Sequence, residues 1–424
     1  MRGMPLVFLG LLGLACLLNA VGTRADSHCC MTDGTDYYQD PPEKITRRFA
    51  LYRQIGVDML RVEIAWRDLE GAGEGRWDDR SRRPYLDAVR RSGFPVKMIV
   101  GTLMGPPHWF LDAHPDARII NQDGGYSRNT LSPWYPGLHR LLDEKATQEF
   151  KYLKRIGLPG QIQYVVADCG PAGEAIYPAL WTLGPGFTQE TFWCYDRNAQ
   201  ADFRRAMRAK YRTVRAANAA WKTDFPDWDA VAVPKPGTRP GAFWGDVLTW
   251  YRDSKRALVV WQIKNFQAHV RRYLGGRAKV LVYVPGSDIR DAEWADAVHT
   301  GYGDNSVRLM ADSRWLMETA ARMGCTLQYT GAENRAEVEH LRRVLDESGM
   351  RGVPMWGENA GFLGAAQDPL ALADIIVKNR LWGLDYTHSH FLFGPDHITP
   401  NAIVPQLQKA YATIRARNLR KRTG

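Results

Sequence analysis

The chain has 424 residues, 45% apolar and 24% charged, a globular balance that excludes disordered, collagen-like and coiled-coil classes. Its 56 Lys and Arg against 46 Asp and Glu leave a net charge of +10, spread along the sequence. The one dense basic run, 415–422, reads as a solvated tail, and with no RNA- or DNA-binding module beside it no nucleic-acid partner is expected.

Residues 1–25 carry an early Arg2, an apolar stretch over 4–18, and Thr23-Arg24-Ala25 ahead of Asp26-Ser27, the layout of a cleaved secretory signal. That apolar stretch is shorter than the roughly 20 residues a spanning helix needs, so no stable membrane insertion is expected. The mature chain, 26–424, is expected in the secreted or periplasmic space. It keeps Cys29, Cys30, Cys169, Cys194 and Cys325, an odd and irregular set that is neither a disulfide framework nor a zinc pattern, with one or two bridges left open.

Short β-rich runs then recur at 28–32, 59–66, 96–102, 162–168, 278–284, 326–330, 353–357 and 385–393. Amphipathic stretches lie between them near 43–55, 83–92, 143–156, 197–220, 246–274, 308–323, 336–348 and 369–382, with a last one after Pro400. The alternation predicts an α/β fold, a single-domain (β/α)8 TIM barrel with its main insertion after the fourth strand. The first strand is short and poorly patterned.

Barrel active sites form at the strand C-termini, which makes acidic residues there the first candidates. Glu63 lies on the second strand, Glu174 follows the fourth in Gly170-Pro171-Ala172-Gly173-Glu174, Glu333 follows the sixth, and Glu358 ends the seventh. Two carboxyl groups facing one another can divide acid and base work when their environments push their pKa values apart, as glycoside hydrolysis requires. Trp66, Trp109, Trp134, Trp181, Trp193 and Trp356 near those strand ends offer flat faces suited to a sugar ring. His388 and His390 alternate with Thr387 and Ser389, which puts both on one face of the last predicted strand. No phosphate loop, H-E-x-x-H or paired-cysteine zinc motif occurs, so no cofactor and no metal are expected.

The segment Gly170-Pro171-Ala172-Gly173-Glu174-Ala175-Ile176-Tyr177-Pro178 resembles the β-amylase (glycoside hydrolase family 14) signature around its catalytic acid. Gly56-Val57-Asp58 through Trp66 and Glu70, Asn129 to Ser132, Phe192 to Asp196, 326–333 and Gly357-Glu358-Asn359-Ala360 are similar to further motifs of that family in the same order. The resemblance implies an inverting glycoside hydrolase acting on an α-glucan or related oligosaccharide, with Glu174 as general acid and Glu333 as base. It implies substrate contacts at Glu63, Asn359 and Ala360; Trp66, Trp109, Tyr177, Asn334 and His388, near the same strand ends, are the further candidate substrate contacts. The family's glycine-rich lid has no counterpart, because Leu103-Met104-Gly105 runs straight into Pro106-Pro107-His108-Trp109, and Ile176 stands where the family has an Arg.

That last segment, with Phe110, His114-Pro115-Asp116 and the preceding Arg61, is also similar to family 42 β-galactosidases. Their pattern implies a retaining β-glycosidase in which Glu358 replaces Glu333 as the second carboxylate, acting as nucleophile. A barrel that binds carbohydrate without turnover, and a cell-envelope interaction protein whose basic tail contacts acidic polymer, are the remaining alternatives.

Overall fold

A computed structural model describes residues 28–33, 35–359, 368–387 and 389–423. The predicted signal segment, Ala360 and His388 lie outside the described residues. Among the described residues ten strands are present: β1 (Cys29–Thr32), β2 (Met59–Ala65), β3 (Val96–Gly101), β4 (Arg118–Ile120), β5 (Tyr126–Leu131), β6 (Ile162–Val166), β7 (Lys279–Val284), β8 (Thr326–Tyr329), β9 (Met355–Glu358) and β10 (Leu384–Tyr386). Eight of them close a parallel barrel in the order β1-β10-β9-β8-β7-β6-β3-β2, which is the predicted (β/α)8 architecture. Each of the eight predicted runs contributes a barrel strand, and the weakly patterned first run closes the circle by pairing with both β2 and β10.

Strands covered on both faces read as continuous apolar runs, and β3, Val-Lys-Met-Ile-Val-Gly, is buried at every position. Side chains alternate between two environments. Val62, Met98, Val165 and Val282 pack outward under the helices, while Cys30, Met59, Ile99, Tyr164, Val166, Leu281 and Trp356 form a separate apolar plug inside the barrel. The helix Val404–Thr423 is tied to the first strand through the Tyr411 hydroxyl, which donates to the Cys30 carbonyl at 2.6 Å.

The predicted insertion lies between β6 and β7. Its second apolar core gathers Tyr177, Phe192, Trp193, Trp221, Trp244 and Trp250. The 33-residue helix Ala242–Leu274 serves both cores: its first turns pack into the insertion and its later turns, from Leu258 on, against the barrel wall and its outer layer.

Several local features differ from the sequence reading. The stretch near 197–220 is two helices, Arg197–Tyr211 and Val214–Trp221, divided at Arg212 with φ 67°, and the Thr213 side chain caps the second by accepting from Ala216 N. The antiparallel hairpin β4–β5 and the helix Asp291–Thr300 were not predicted. The last barrel strand ends at Tyr386 instead of 393. Thr387 is drawn across to the end of β9, its N–H donating to Asn359 Oδ1 at 2.8 Å and its hydroxyl to the Asn359 carbonyl at 2.6 Å. His390 therefore lies in the 3-10 turn Ser389–Phe391 and not on a strand face. All five described cysteines are buried free thiols, so no bridge forms among them.

Candidate active site

The loop after β6 has a shape that its sequence explains. A Cβ on Gly170 would stand 2.4 Å from the Ile176 carbonyl oxygen and 2.5 Å from that of Glu174, so only glycine lets the chain fold back on itself there. Ala172 and Gly173 both take positive φ, 52° and 83°, which turns the chain sharply before Glu174. Lys255 fastens both ends of the loop, its Nζ donating to the carbonyls of Cys169 at 2.7 Å and Ile176 at 2.5 Å. Burial pulls that ammonium down to about 8.

Glu174 emerges from this loop beside the end of β7, bridging to Tyr283, and is buried. The Thr330 hydroxyl, just past β8, donates to its Oε1. Burial pushes the Glu174 carboxyl up to about 7; the Thr330 hydrogen bond and Arg61 oppose the rise, and the negative charge of Glu358 adds to it. A carboxyl with that pKa still carries its proton in mildly acid water and gives it up near neutrality, which suits a general acid.

Glu358 ends β9, register-paired with Asp385 on β10, so two like charges stand side by side on adjacent strands. Their counterions come from across the barrel. Arg61 on β2 donates to Glu358 Oε1 at 2.6 Å, lies 3.5 Å from Asp385 Oδ2, and reaches the Tyr283 hydroxyl at 3.3 Å. Lys97 on β3 donates to Asp385 Oδ2 at 3.1 Å and sits 4.2 Å above the Trp356 ring centre, the lid of the apolar plug. Gln328 on β8 joins the two carboxylates, its amide N–H donating to Glu358 Oε2 and to Asp385 Oδ2, while its carbonyl oxygen accepts from Lys97. Burial raises the Glu358 carboxyl and Arg61 opposes the rise. Asp385, with two cations on it, is lowered to about 2 against the pull of burial. Gln328 and Thr330, two residues apart on β8 and its extension, thus reach Glu358 and Glu174 from one side of the strand.

The residues singled out from the sequence separate into two groups. Glu63 stands two positions after Arg61 on β2, half-buried, its carboxyl raised by burial and by Asp68. It joins Glu174 and Glu358 at the barrel mouth. Glu333 lies in the loop after β8, half-buried, and is not among the charges that act most on Glu174.

Trp66 and Tyr177 are buried in packing contacts, Trp109 is half-buried beside Trp66, and Trp181 is 60% exposed. Trp66 is 2% exposed, its indole N–H donating to Glu70 Oε2 at 2.5 Å and its ring covered by Lys145 and Phe110, so it has no face for a sugar. Trp109 stacks edge-on against Trp66 and donates to the Glu70 carbonyl at 2.7 Å. Tyr177 is 1% exposed, stacked 3.9 Å on Tyr251 and bonded to the Tyr251 carbonyl. Asn334 is exposed and caps the helix Arg335–Glu347. Asn359 is fully buried and holds β10 to β9.

The sequence reading passed over Lys97, Gln328, Thr330 and Asp385 and gave Arg61 no role. A signal was present: a Lys within the buried run of β3, and an Arg two positions before Glu63, charges that strand alternation places inside the barrel. Among the described residues, Asp288, Glu337 and His340 bring ligand-type atoms within 4.8 Å of one another. Glu337 is already engaged by Arg290 and His340 stands 3.6 Å from Asp288, an arrangement that reads as an ion-pair cluster.

Comparison with known proteins gives two kinds of relative. The thermophilic beta-amylase of Thermoanaerobacterium thermosulfurigenes is 28% identical over 249 residues, 51% of this chain and 44% of that protein, and the beta-amylase of Cytobacillus firmus is 27% identical over 224 residues, 46% of each. The chain thus spans about half the length of these curated relatives. The crystal structure of the catalytic domain of beta-amylase from Paenibacillus polymyxa superposes with a TM-score of 0.73 at 18% identity, covering 92% of this chain and 99% of that one. The beta-galactosidase of Rahnella sp. R3 follows at 0.63 and 13%, covering 93% and 57%. Likeness at such identities shows the shared barrel. The model of the glycoside hydrolase family 42, described as Beta-galactosidase, matches residues 36–274, more than half of the sequence, and the chain belongs to that family.

Proposed function

We propose that the protein is a glycoside hydrolase of β-amylase-like type, cleaving glycosidic bonds in an α-glucan or related oligosaccharide with Glu174 as proton donor. The observation that carries this reading is the Glu174 carboxyl, lifted to about 7 by burial at the barrel mouth while the negative charge of Glu358 bears on it. The relatives named beta-amylase and the Gly-Pro-Ala-Gly-Glu loop support the substrate class.

For the opposing carboxylate we assign Glu358 in place of Glu333. Its support is electrostatic and geometric: Glu358 acts on Glu174, and Arg61 and Gln328 fix both of its oxygens. In the inverting scheme Glu358 accepts the proton of an attacking water as Glu174 protonates the leaving oxygen, across about 6.5–9.5 Å. A second reading has support from the family 42 match: Glu358 attacks the anomeric carbon, Glu174 first protonates the leaving oxygen and then activates water, and configuration is retained over about 5–5.5 Å.

Proton NMR of fresh product distinguishes the two. The expected result is a β-anomer from an α-linked substrate, and retained configuration transfers the case to the second reading. Glu358→Gln is expected to lower kcat at least a hundredfold and Glu333→Gln less than threefold; the reverse ranking would return the base to Glu333. We further propose that 26–424 is a single catalytic domain and that the protein is exported, on the signal-like layout of 1–25. Export is tested by cell fractionation with N-terminal sequencing; protein found only in the cytoplasm with Met1 intact would overturn it.

A further inference from the structure

At the opposite end of the barrel, where β9 and β10 begin, lies a cleft of about 300 Å³ lined by Arg342, Arg351, Arg380, Trp382 and the backbone before β9. One carboxylate serves all three arginines: Asp346 lies 3.2 Å from Arg342 and 3.6 Å from Arg351, and accepts from Arg380 at 2.5 Å. Arg417, on the carboxy-terminal helix, adds a fourth guanidinium, its Nη1 donating to the Leu381 carbonyl, and Asn418 beside it donates to the Trp382 carbonyl.

Positive charge is therefore in excess where water is partly excluded. Arg342 has a side chain only 7% exposed, yet its Nε has no hydrogen-bond partner, and Arg417 Nη2 and Trp382 Nε1 are likewise buried without one. Unpaired buried donors are costly, and guanidinium groups are held this close only against their mutual repulsion. Burial and the neighbouring arginines push both Arg342 and Arg417 below the usual arginine range. The negative ends of the helices Arg335–Glu347 and Pro369–Lys378 account for part of this cation density. Two nearby helix ends and one aspartate do not neutralise four guanidinium groups.

We propose that this cleft binds a tetrahedral oxyanion, of the phosphate or sulfate class, free or carried on a polymer. Planar guanidinium forks match such oxygens two at a time, and the charge at the cleft fits a dianion. The site is remote from Glu174, so it docks the enzyme or marks its surroundings without joining the reaction.

The test is thermal melting and calorimetry of the full chain with inorganic phosphate, sulfate and a sulfated dextran, each against chloride at matched ionic strength and against neutral dextran. Arg351, 71% exposed, is reversed as R351E, and R140E, at a site 84% exposed on another helix, supplies the same charge change elsewhere. Phosphate or sulfate is expected to raise Tm by several degrees beyond chloride, with R351E weakening binding at least tenfold and R140E less than twofold. Tighter binding of sulfated dextran than of free sulfate assigns the polymer as source; equal binding per sulfate assigns the small ion. Equal stabilisation by chloride, or equal losses in R351E and R140E, overturns the proposal, and R342K gives a second check because it keeps the charge but removes the fork.

Discussion

The two walls of the barrel mouth treat buried carboxyl groups in opposite ways. On the β9–β10 wall, Glu358 and Asp385 stand next to each other and are matched by Arg61 and Lys97, with Gln328 between them. On the β6 wall, Asp168 and Glu174 make no ion pair: Asp168 accepts backbone N–H groups of Leu103 and Met104, Glu174 accepts a hydroxyl, and both rise to about 7. Burial is nearly equal on the two sides. Counterions make the difference: Arg61 opposes the rise of Glu358 and, with Lys97, lowers Asp385, whereas among the described residues no cation stands at ion-pair distance from Glu174 or Asp168.

The largest test of that contrast removes the donor. Glu174→Gln is expected to lower kcat by about 10²–10⁴-fold, the usual contribution of general acid catalysis. Wild-type kcat should fall as pH rises through about 7, where Glu174 loses its proton, and this limb should vanish in the variant. A wild-type profile flat between pH 6 and 8 would remove the assignment.

Next in size is the removal of a counterion. Arg61→Met leaves Glu358 unpaired and Asp385 with one cation, and breaking a buried pair costs about 3–5 kcal/mol. Denaturant titration should show this loss at pH 7, together with a Glu358 carboxyl raised further and a pH profile shifted to higher pH, because Arg61 holds down both Glu358 and Glu174.

A smaller effect belongs to Asp385. Its folded pKa of about 2 lies below the unfolded value near 3.9, so its stabilisation is full above that value and is lost as pH falls through about 2. Roughly 2–3 kcal/mol should disappear across that window, and Asp385→Asn should flatten it.

The smallest effect sharpens the contrast from the uncompensated side. Glu149, on the helix Leu138–Arg155, buries both carboxyl oxygens without a hydrogen-bond partner, and burial together with Asp168 raises its pKa. Because that folded pKa is raised, the stability it permits is full below about 4.3 and is lost as pH rises. Glu149→Met should therefore stabilise the protein by about 1–2 kcal/mol at pH 7 and by less at pH 4, read from urea midpoints.

The sequence by itself determined the barrel. Apolar runs alternating with amphipathic helices have few ways to bury both faces of each strand, and even the short Cys29–Thr32 run was recoverable from that alternation. It also determined the turn that carries Glu174, since the glycines around it report a backbone that tolerates no Cβ at Gly170 and turns through positive φ at Gly173. Tertiary structure alone decided the partners. Arg61, Lys97, Gln328, Glu358 and Asp385 lie on five different strands, up to 324 positions apart, and only closure of the barrel brings them together. Trp66 and Tyr177 have their faces covered for a related reason: an indole or phenol ring at a strand end looks the same in sequence whether it meets a ligand or, as here, another ring.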